Sequence, residues 1–168
     1  MTQSSSGFTL VELGYAELEA VNDVMGRAFD PRFGEAWSKA QCLSLLALPG
    51  YRLVGLMSAN AQMLGFSISR HVAGESELLL IAVDPASRRA SYGTMLMHDW
   101  IAHCQNTAIS RVMLEVRADN PAIILYEQLG FTRMAVRPAY YLGGDGLRRD
   151  AITMHKCLRE IESHKIEY

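Results

Sequence analysis

The chain is poor in the features that would give it an easy assignment. Its 168 residues contain three cysteines, Cys42, Cys104 and Cys157. They are odd in number, far apart and in no metal-ligand spacing, so neither a disulfide framework nor a zinc knuckle is expected, and a reducing compartment with buried thiols is. The five histidines are equally scattered. His98 and His103 lie five apart rather than the four of a helical zinc pair, so no metal is expected. The longest apolar runs, such as Leu78 to Val83, fall far short of the ~20 residues that cross a bilayer. The polar, Ser-rich residues 1–7 have no apolar signal core. There is no excess of charge either: 16 Lys and Arg stand against 18 Asp and Glu. Nothing therefore calls for a nucleic-acid or membrane partner, and a cytoplasmic protein is expected.

What is present suits one ordinary domain over residues 1–168. The ends are the exceptions: residues 1–7 are expected to be disordered, and residues 158–168 to form a charged tail or short helix. Phe8 to Leu13 alternates as a strand does. Leu18, Val21, Val24, Met25 and Ala28 fall on one helical face, and Asp30-Pro31-Arg32-Phe33-Gly34 breaks that helix. A second helix begins near Trp37 and Ser38 and ends near Leu48, ahead of Pro49-Gly50. Tyr51 to Ala59 and Gln62 to Val72 read as a hairpin, with a turn at Gly74-Glu75-Ser76 after it. Glu77 to Val83 is almost wholly apolar, which suits a central strand covered on both faces.

The polar loop Asp84 to Gly93 follows. It leads into a helix, reaching about Asn106, whose apolar stripe includes Leu96, Met97, Trp100, Ile101 and Cys104. Arg111 to Val116 is the next strand. Asn120-Pro121 supplies a cap and a first-turn proline for a helix that Gly130 closes. Phe131 to Arg137 and Asp150 to Cys157 are the last strands, separated by a Gly-rich loop. The order strand, two helices, three strands, helix, strand, helix, two strands predicts one mixed α/β sheet with helices on both faces.

Three places could carry chemistry. The loop from Asp84 to Gly93 leaves a buried strand for a helix N-terminus, where unpaired N–H groups and Arg88 and Arg89 would suit a phosphate; it could equally be a plain connection with solvated arginines. Glu115 sits in an apolar strand, where a buried carboxylate would accept a proton near neutrality; it could instead face solvent or pair with Arg117 or another cation. Tyr126 could donate a proton, or simply pack its ring on the sheet.

Together these segments resemble the GNAT acetyltransferases. The resemblance rests on Ile81-Ala82-Val83-Asp84-Pro85, on Arg88-x-x-Ser91-x-Gly93, and on Leu125-Tyr126-Glu127-Gln128-Leu129-Gly130-Phe131, and covers residues 8–157. Leu114-Glu115-Val116-Arg117, Tyr140-Tyr141, Asp145-Gly146 and Asp150-Ala151-Ile152-x-Met154 are similar to the bacterial ribosomal-protein-alanine N-acetyltransferases. The resemblance implies a GNAT fold with a mostly antiparallel central sheet. It implies an acetyl-CoA-dependent enzyme acting on a primary amine, such as the N-terminal α-amine of a ribosomal protein, without metal, as a monomer or homodimer. It makes Glu115 the general base and Tyr126 the general acid. It assigns acetyl-CoA to Ile81, Ala82, Val83, Arg88, Arg89, Ala90, Ser91, Tyr92, Gly93, Thr94 and Asn120, and the amine substrate to Tyr140 and Tyr141, which could otherwise be edge packing. Ser91 stands where the family pattern has glycine. A GNAT acting on a small amine and a non-catalytic acyl-CoA-binding module are the alternatives.

Overall fold

The computed structural model describes residues 7–159; the parts of the N-terminal segment and C-terminal tail in 1–6 and 160–168 lie outside it. Seven strands form one sheet: β1 (Phe8–Glu12), β2 (Tyr51–Ser58), β3 (Met63–Val72), β4 (Glu75–Val83), β5 (Arg111–Arg117), β6 (Thr132–Leu142) and β7 (Arg148–Cys157). Their spatial order is β1-β2-β3-β4-β5-β7-β6. Only β4 and β5 are parallel neighbours; the other pairs are antiparallel. Among the described residues there are four α-helices, α1 (Leu18–Ala28), α2 (Lys39–Leu46), α3 (Tyr92–Gln105) and α4 (Ile123–Gln128). Cys42 and Cys104 are buried as expected, but Cys157, the last residue of β7, is exposed.

The helices cover both faces of the sheet. Leu18, Val21, Val24 and Met25 of α1 pack with Leu53, Phe66, Ile68, Leu80 and Ala82 on one side. On the other, Met97, Trp100, Ile101 and Cys104 of α3 pack with Leu78, Val112, Leu114, Val116 and, from α4, Ile123 and Tyr126. β4 thus feeds both cores, as its apolar run predicts. The buried Trp100 Nε1 donates to Ser76 Oγ at 2.8 Å, so the largest core side chain has its polar atom satisfied and ties α3 to β4.

One irregularity shapes the middle of the sheet. The β3–β4 register passes from Ser69↔Leu78 to Ile68↔Leu80, leaving Leu79 as an extra residue. Such a bulge bends its strand and interrupts pairing. The β4–β5 ladder runs from Glu75↔Arg111 to Leu78↔Leu114 and stops there. Beyond it β4 continues to Val83 and β5 to Arg117 without pairing, so the two strands part.

Several boundaries differ from the sequence expectation. The turn before β4 is Ala73-Gly74, both at positive φ (50° and 80°), so Glu75 and Ser76 already belong to the strand. The last two strands are longer than expected. β6 runs past Pro138 to Leu142, with a break in register between Arg137 and Tyr141 where Ala139 takes φ 52°. It tolerates the proline because it is the edge strand and needs no N–H there. β7 begins at Arg148 to match it. Asn120 Oδ1 accepts from Ala122 N at 2.9 Å, forming a turn ahead of α4 rather than its first residue. Gly130 closes α4 at φ 85°, as expected.

The β6–β7 turn reaches back across the molecule to the segment between α1 and α2. A Cβ on Gly144 would come within 2.7 Å of the Pro31 carbonyl oxygen, so only glycine allows this approach. Gly144→Ala is expected to cost about 1–3 kcal/mol of unfolding free energy, measured by urea titration, because the obstacle is backbone and cannot rotate away. At the far end of β3, His71 stacks against His103 with centroids 5.2 Å apart, and its buried Nδ1 has no partner. Burial, His103 and Arg52 push its pKa below the ordinary 6.5. The native state therefore binds fewer protons than the unfolded one. Stability from this site is complete above pH 6.5 and is lost as the pH falls toward the folded pKa. Urea midpoints between pH 7.5 and 5.5 should fall more steeply for the native sequence than for His71→Gln.

Candidate active site

The parting of β4 from β5 opens a cleft of about 490 Å³. Its walls are Leu79, Leu80 and Ile81 on one side and Leu114, Glu115 and Val116 on the other, closed by Trp37, Tyr126, Tyr140 and Tyr141. A second hollow, about 360 Å³, adjoins it and shares Glu35, Ile81, Asn120 and Tyr126. This hollow runs along Ala82 and Val83 to Arg88, Gly93 and Leu125. A third, about 340 Å³, takes over at Val83, Arg88, Gly93 and Leu125 and extends past Arg89, Ser91, Tyr92 and Thr94. The three form one groove from Tyr141 to the start of α3.

Physical reasons fix each end. At α3, Met95 N is bonded to Ser91 O at 3.0 Å, so the amides of Tyr92, Gly93 and Thr94 precede the intrahelical ladder. Unpaired N–H groups with the helix dipole behind them attract an anion. Arg89 and Ser91 both take left-handed backbone, at φ 69° and 58°. That explains the glycine in the family pattern: a side chain at position 91 is held in a conformation that costs a non-glycine residue of order 1 kcal/mol. Arg88 donates through Nη2 to the Ala28 carbonyl at 3.1 Å, joining the loop to the end of α1. Ala90 is exposed beside it. Midway, the side of β4 that faces the cleft from Leu79 to Val83 has no strand partner, and offers main-chain groups to a ligand.

At the other end Glu115 projects between the walls. It is not the secluded carboxylate its apolar neighbours predict. Its side chain is 20% exposed and paired with Arg137 Nη1 at 3.4 Å. Arg117, the nearer candidate in sequence, is occupied elsewhere. Tyr126 is 6% exposed, with its ring edge-on to Phe131 at 6.3 Å. Burial, with Glu35 adding to it, pushes its phenol up to about 12, so it stays protonated at neutral pH. The Tyr126 ring packs in the core, as one reading of the sequence expects, and the residue also lines the cleft. Tyr141 is half-buried in the cleft, and burial, Glu115 and Glu35 raise its phenol. Tyr140 is 49% exposed, edge-on to Tyr141 and under the Arg137 guanidinium.

A cluster around Arg117 completes the site, and its members Phe33, Glu35 and Arg149 are not singled out by the sequence patterns. Arg117 is only 5% exposed and bonds Glu35 through Nη1 at 2.6 Å, with Asp119 on its Nε. Its guanidinium lies 3.4 Å from the Phe33 ring centroid, and Arg149 lies 4.8 Å from the same ring. Arg149 in turn holds Asp145 at 2.6 Å, which keeps that carboxyl well below the usual range. Burial raises the pKa of Glu35 against the pull of Arg117. The one sequence sign of this cluster is that Phe33 and Glu35 lie in the break between two helices, where functional loops concentrate.

Comparison with known proteins agrees with this geometry. The profile of the acetyltransferase (GNAT) family matches residues 16–131. The [ribosomal protein bS18]-alanine N-acetyltransferase of Escherichia coli (strain K12) is 40% identical over 99 residues, 58% of this chain and 66% of that protein, just under two thirds of its length. The crystal structure of the ribosomal-protein-S18-alanine N-acetyltransferase from Escherichia coli superposes with a TM-score of 0.84 at 31% identity, over 96% of this chain and 99% of that one. A GNAT superfamily phosphinothricin acetyltransferase from Sinorhizobium meliloti, solved in complex with AcCoA, shares the fold (TM-score 0.77, 18% identity, 92% and 90% coverage). The family profile spans more than half of the chain and the fold superposes along nearly all of it: the chain belongs to the GNAT acetyltransferase family.

Proposed function

We propose that this chain transfers the acetyl group of acetyl-CoA directly to the N-terminal α-amine of a protein, such as a ribosomal protein. The observation that carries it is the single groove with an anion-binding helix start at one end and Glu115, Tyr126 and Tyr141 at the other. The residues fit the cosubstrate. The amides of residues 89–94, with Arg88 and Arg89, suit a pyrophosphate. The unpaired side of Ile81-Ala82-Val83 suits an amide-bearing arm, and Asn120 borders its path. Acetyl-CoA supplies the activated acyl carbon and a thiolate leaving group.

The chain's own groups then have defined work. A peptide α-amine has a pKa of about 7.7–8.0 and is mostly protonated at pH 7, so it needs a base. Glu115, paired with Arg137 at 3.4 Å, takes that proton. Main-chain N–H near Val83 faces the oxyanion that develops at the acyl carbon. Tyr126 gives its proton to the departing thiolate. The amine attacks directly, so no cysteine takes part. The protein amine is favoured over a small one by the likeness to the Escherichia coli N-acetyltransferases and by the aromatic walls of the cleft, which include Trp37, Tyr140 and Tyr141.

Tyr126→Phe is expected to lower kcat by about 10²–10⁴-fold with acetyl-CoA affinity nearly unchanged, in a thiol-release assay with a peptide that begins with alanine. Wild-type turnover in that variant would remove Tyr126 as the acid. Glu115→Gln should move the rising limb of the rate–pH profile to higher pH; an unmoved limb removes Glu115 as the base. Preference for spermidine over the peptide would point to the small-amine reading, and binding without thiol release to a non-catalytic module.

A further inference from the structure

Among the described residues, Asp84 and Arg117 are the charged ones that the fold buries. Asp84 is explained locally: it caps the Pro85–Ser87 turn through Ala86 N and pairs with Arg27 at 2.7 Å. Arg117 has no such local reason. It spends its in-plane donors on Glu35 and Asp119 and its flat face on Phe33. Two of those three partners come from the segment between α1 and α2, more than 80 residues away in sequence. A lysine could satisfy a charge here, but it could not fork and stack at once.

The same segment has a second anchor. Gly143 and Gly144 bring the β6–β7 turn against the backbone of Pro31 and Arg32, and the Arg149 guanidinium also lies 4.8 Å from the Phe33 ring centroid. Residues of this segment line the groove, Gly34 to Trp37 in the cleft and Asp30 and Phe33 in the adjoining hollow. Glu35 ends up bordering both the cleft and the adjoining hollow, beside Tyr126. None of the proton transfers assigned above uses Arg117, Phe33 or Glu35.

We propose that Arg117 is a positioning residue for the acceptor amine: by clasping Phe33 and Glu35 it holds residues 30–38 as a fixed wall of the acceptor cleft. This rests on the acetyl-transfer assignment and extends it. Arg117 and Phe33 border the adjoining hollow, while the residues that follow Phe33, Gly34 to Trp37, line the acceptor cleft; loss of the clasp therefore weakens acceptor binding more than cosubstrate binding, whose phosphate end at residues 89–94 stays in place. Glu35 lines the cleft with Tyr126, and its charge acts on the Tyr126 phenol.

The full chain is tested as Arg117→Lys, Glu35→Gln and the double variant, each checked by thermal melting for a folded state. Arg117→Lys keeps the charge and loses the fork and the stack. It should raise KM for the acceptor peptide roughly tenfold and leave KM for acetyl-CoA within about twofold. Hydrogen exchange at the amides of residues 30–38 should quicken in the same variant. Glu35→Gln should shift acceptor KM in the same direction, and the double variant should add little to the larger single effect, because the two residues act as one unit. Unchanged acceptor KM, equal changes in both KM values, unchanged exchange in 30–38, or fully multiplicative single effects would each overturn the proposal. Failure of the wild-type chain to acetylate any peptide or amine would instead strike the acetyl-transfer assignment, and the exchange measurement would still report whether Arg117 holds the segment.

Discussion

Pairing between β4 and β5 ends at Leu78↔Leu114, and almost everything else in the site follows from that end. A parallel ladder that ran on to Val83 would satisfy the backbone and leave no cleft. The extra residue at Leu79 turns β4 away, and the two strands then diverge with their main-chain groups exposed to one another across a gap. The cost of those unpaired groups is tolerable because a ligand can meet them. The gap also sets which residues can act together. Ile81 and Glu115 come from strands that are neighbours at one end and opposite walls at the other, and Tyr126 reaches the same space from α4.

Tyr126, the proposed acid, combines burial with a place on the cleft wall. Its ring is a member of the core formed by Trp100, Phe131 and Met154, which limits its motion, while the same burial keeps its phenol protonated far above neutrality. Glu115, the proposed base, is treated differently. It is partly exposed and lies beside Arg137, and the role proposed for it needs that exposure, since such a base must lose its proton to solvent in each cycle. Two residues eleven apart in sequence are thus given contrasting surroundings, one by a helix pressed on the core and the other by a strand facing the gap.

Much of this was legible in the sequence. The helical stripe of α3, the apolar run of β4, the Gly130 closure and the Leu125–Phe131 signature all express local periodicity or local backbone demands, and the structure keeps them. What could not be read depends on pairings between distant segments. The bulge at Leu79 exists only relative to β3. The continuation of β6 through Pro138 depends on β7 lying alongside. Arg117 was visible as a neighbour of Glu115, but its partner Glu35 lies 82 residues away and no short-range pattern links them. Glu115 itself looked secluded because its neighbours in sequence are apolar; its neighbour in space is Arg137, on a different strand.

The irregular course of β6 has a bearing on how the molecule behaves in a crowded solution. This strand closes one side of the sheet, is solvent-exposed along nearly its whole length, and carries Met134, Val136, Tyr140 and Leu142. A straight ribbon of that composition would recruit a strand from another copy. Two breaks in register, a proline without an amide hydrogen, a left-handed Ala139 and the cations Arg133 and Arg137 leave no uninterrupted run of free donors and acceptors for a second ribbon to match. The kink that carries Tyr141 into the cleft therefore also keeps that open margin from seeding stacks of like chains.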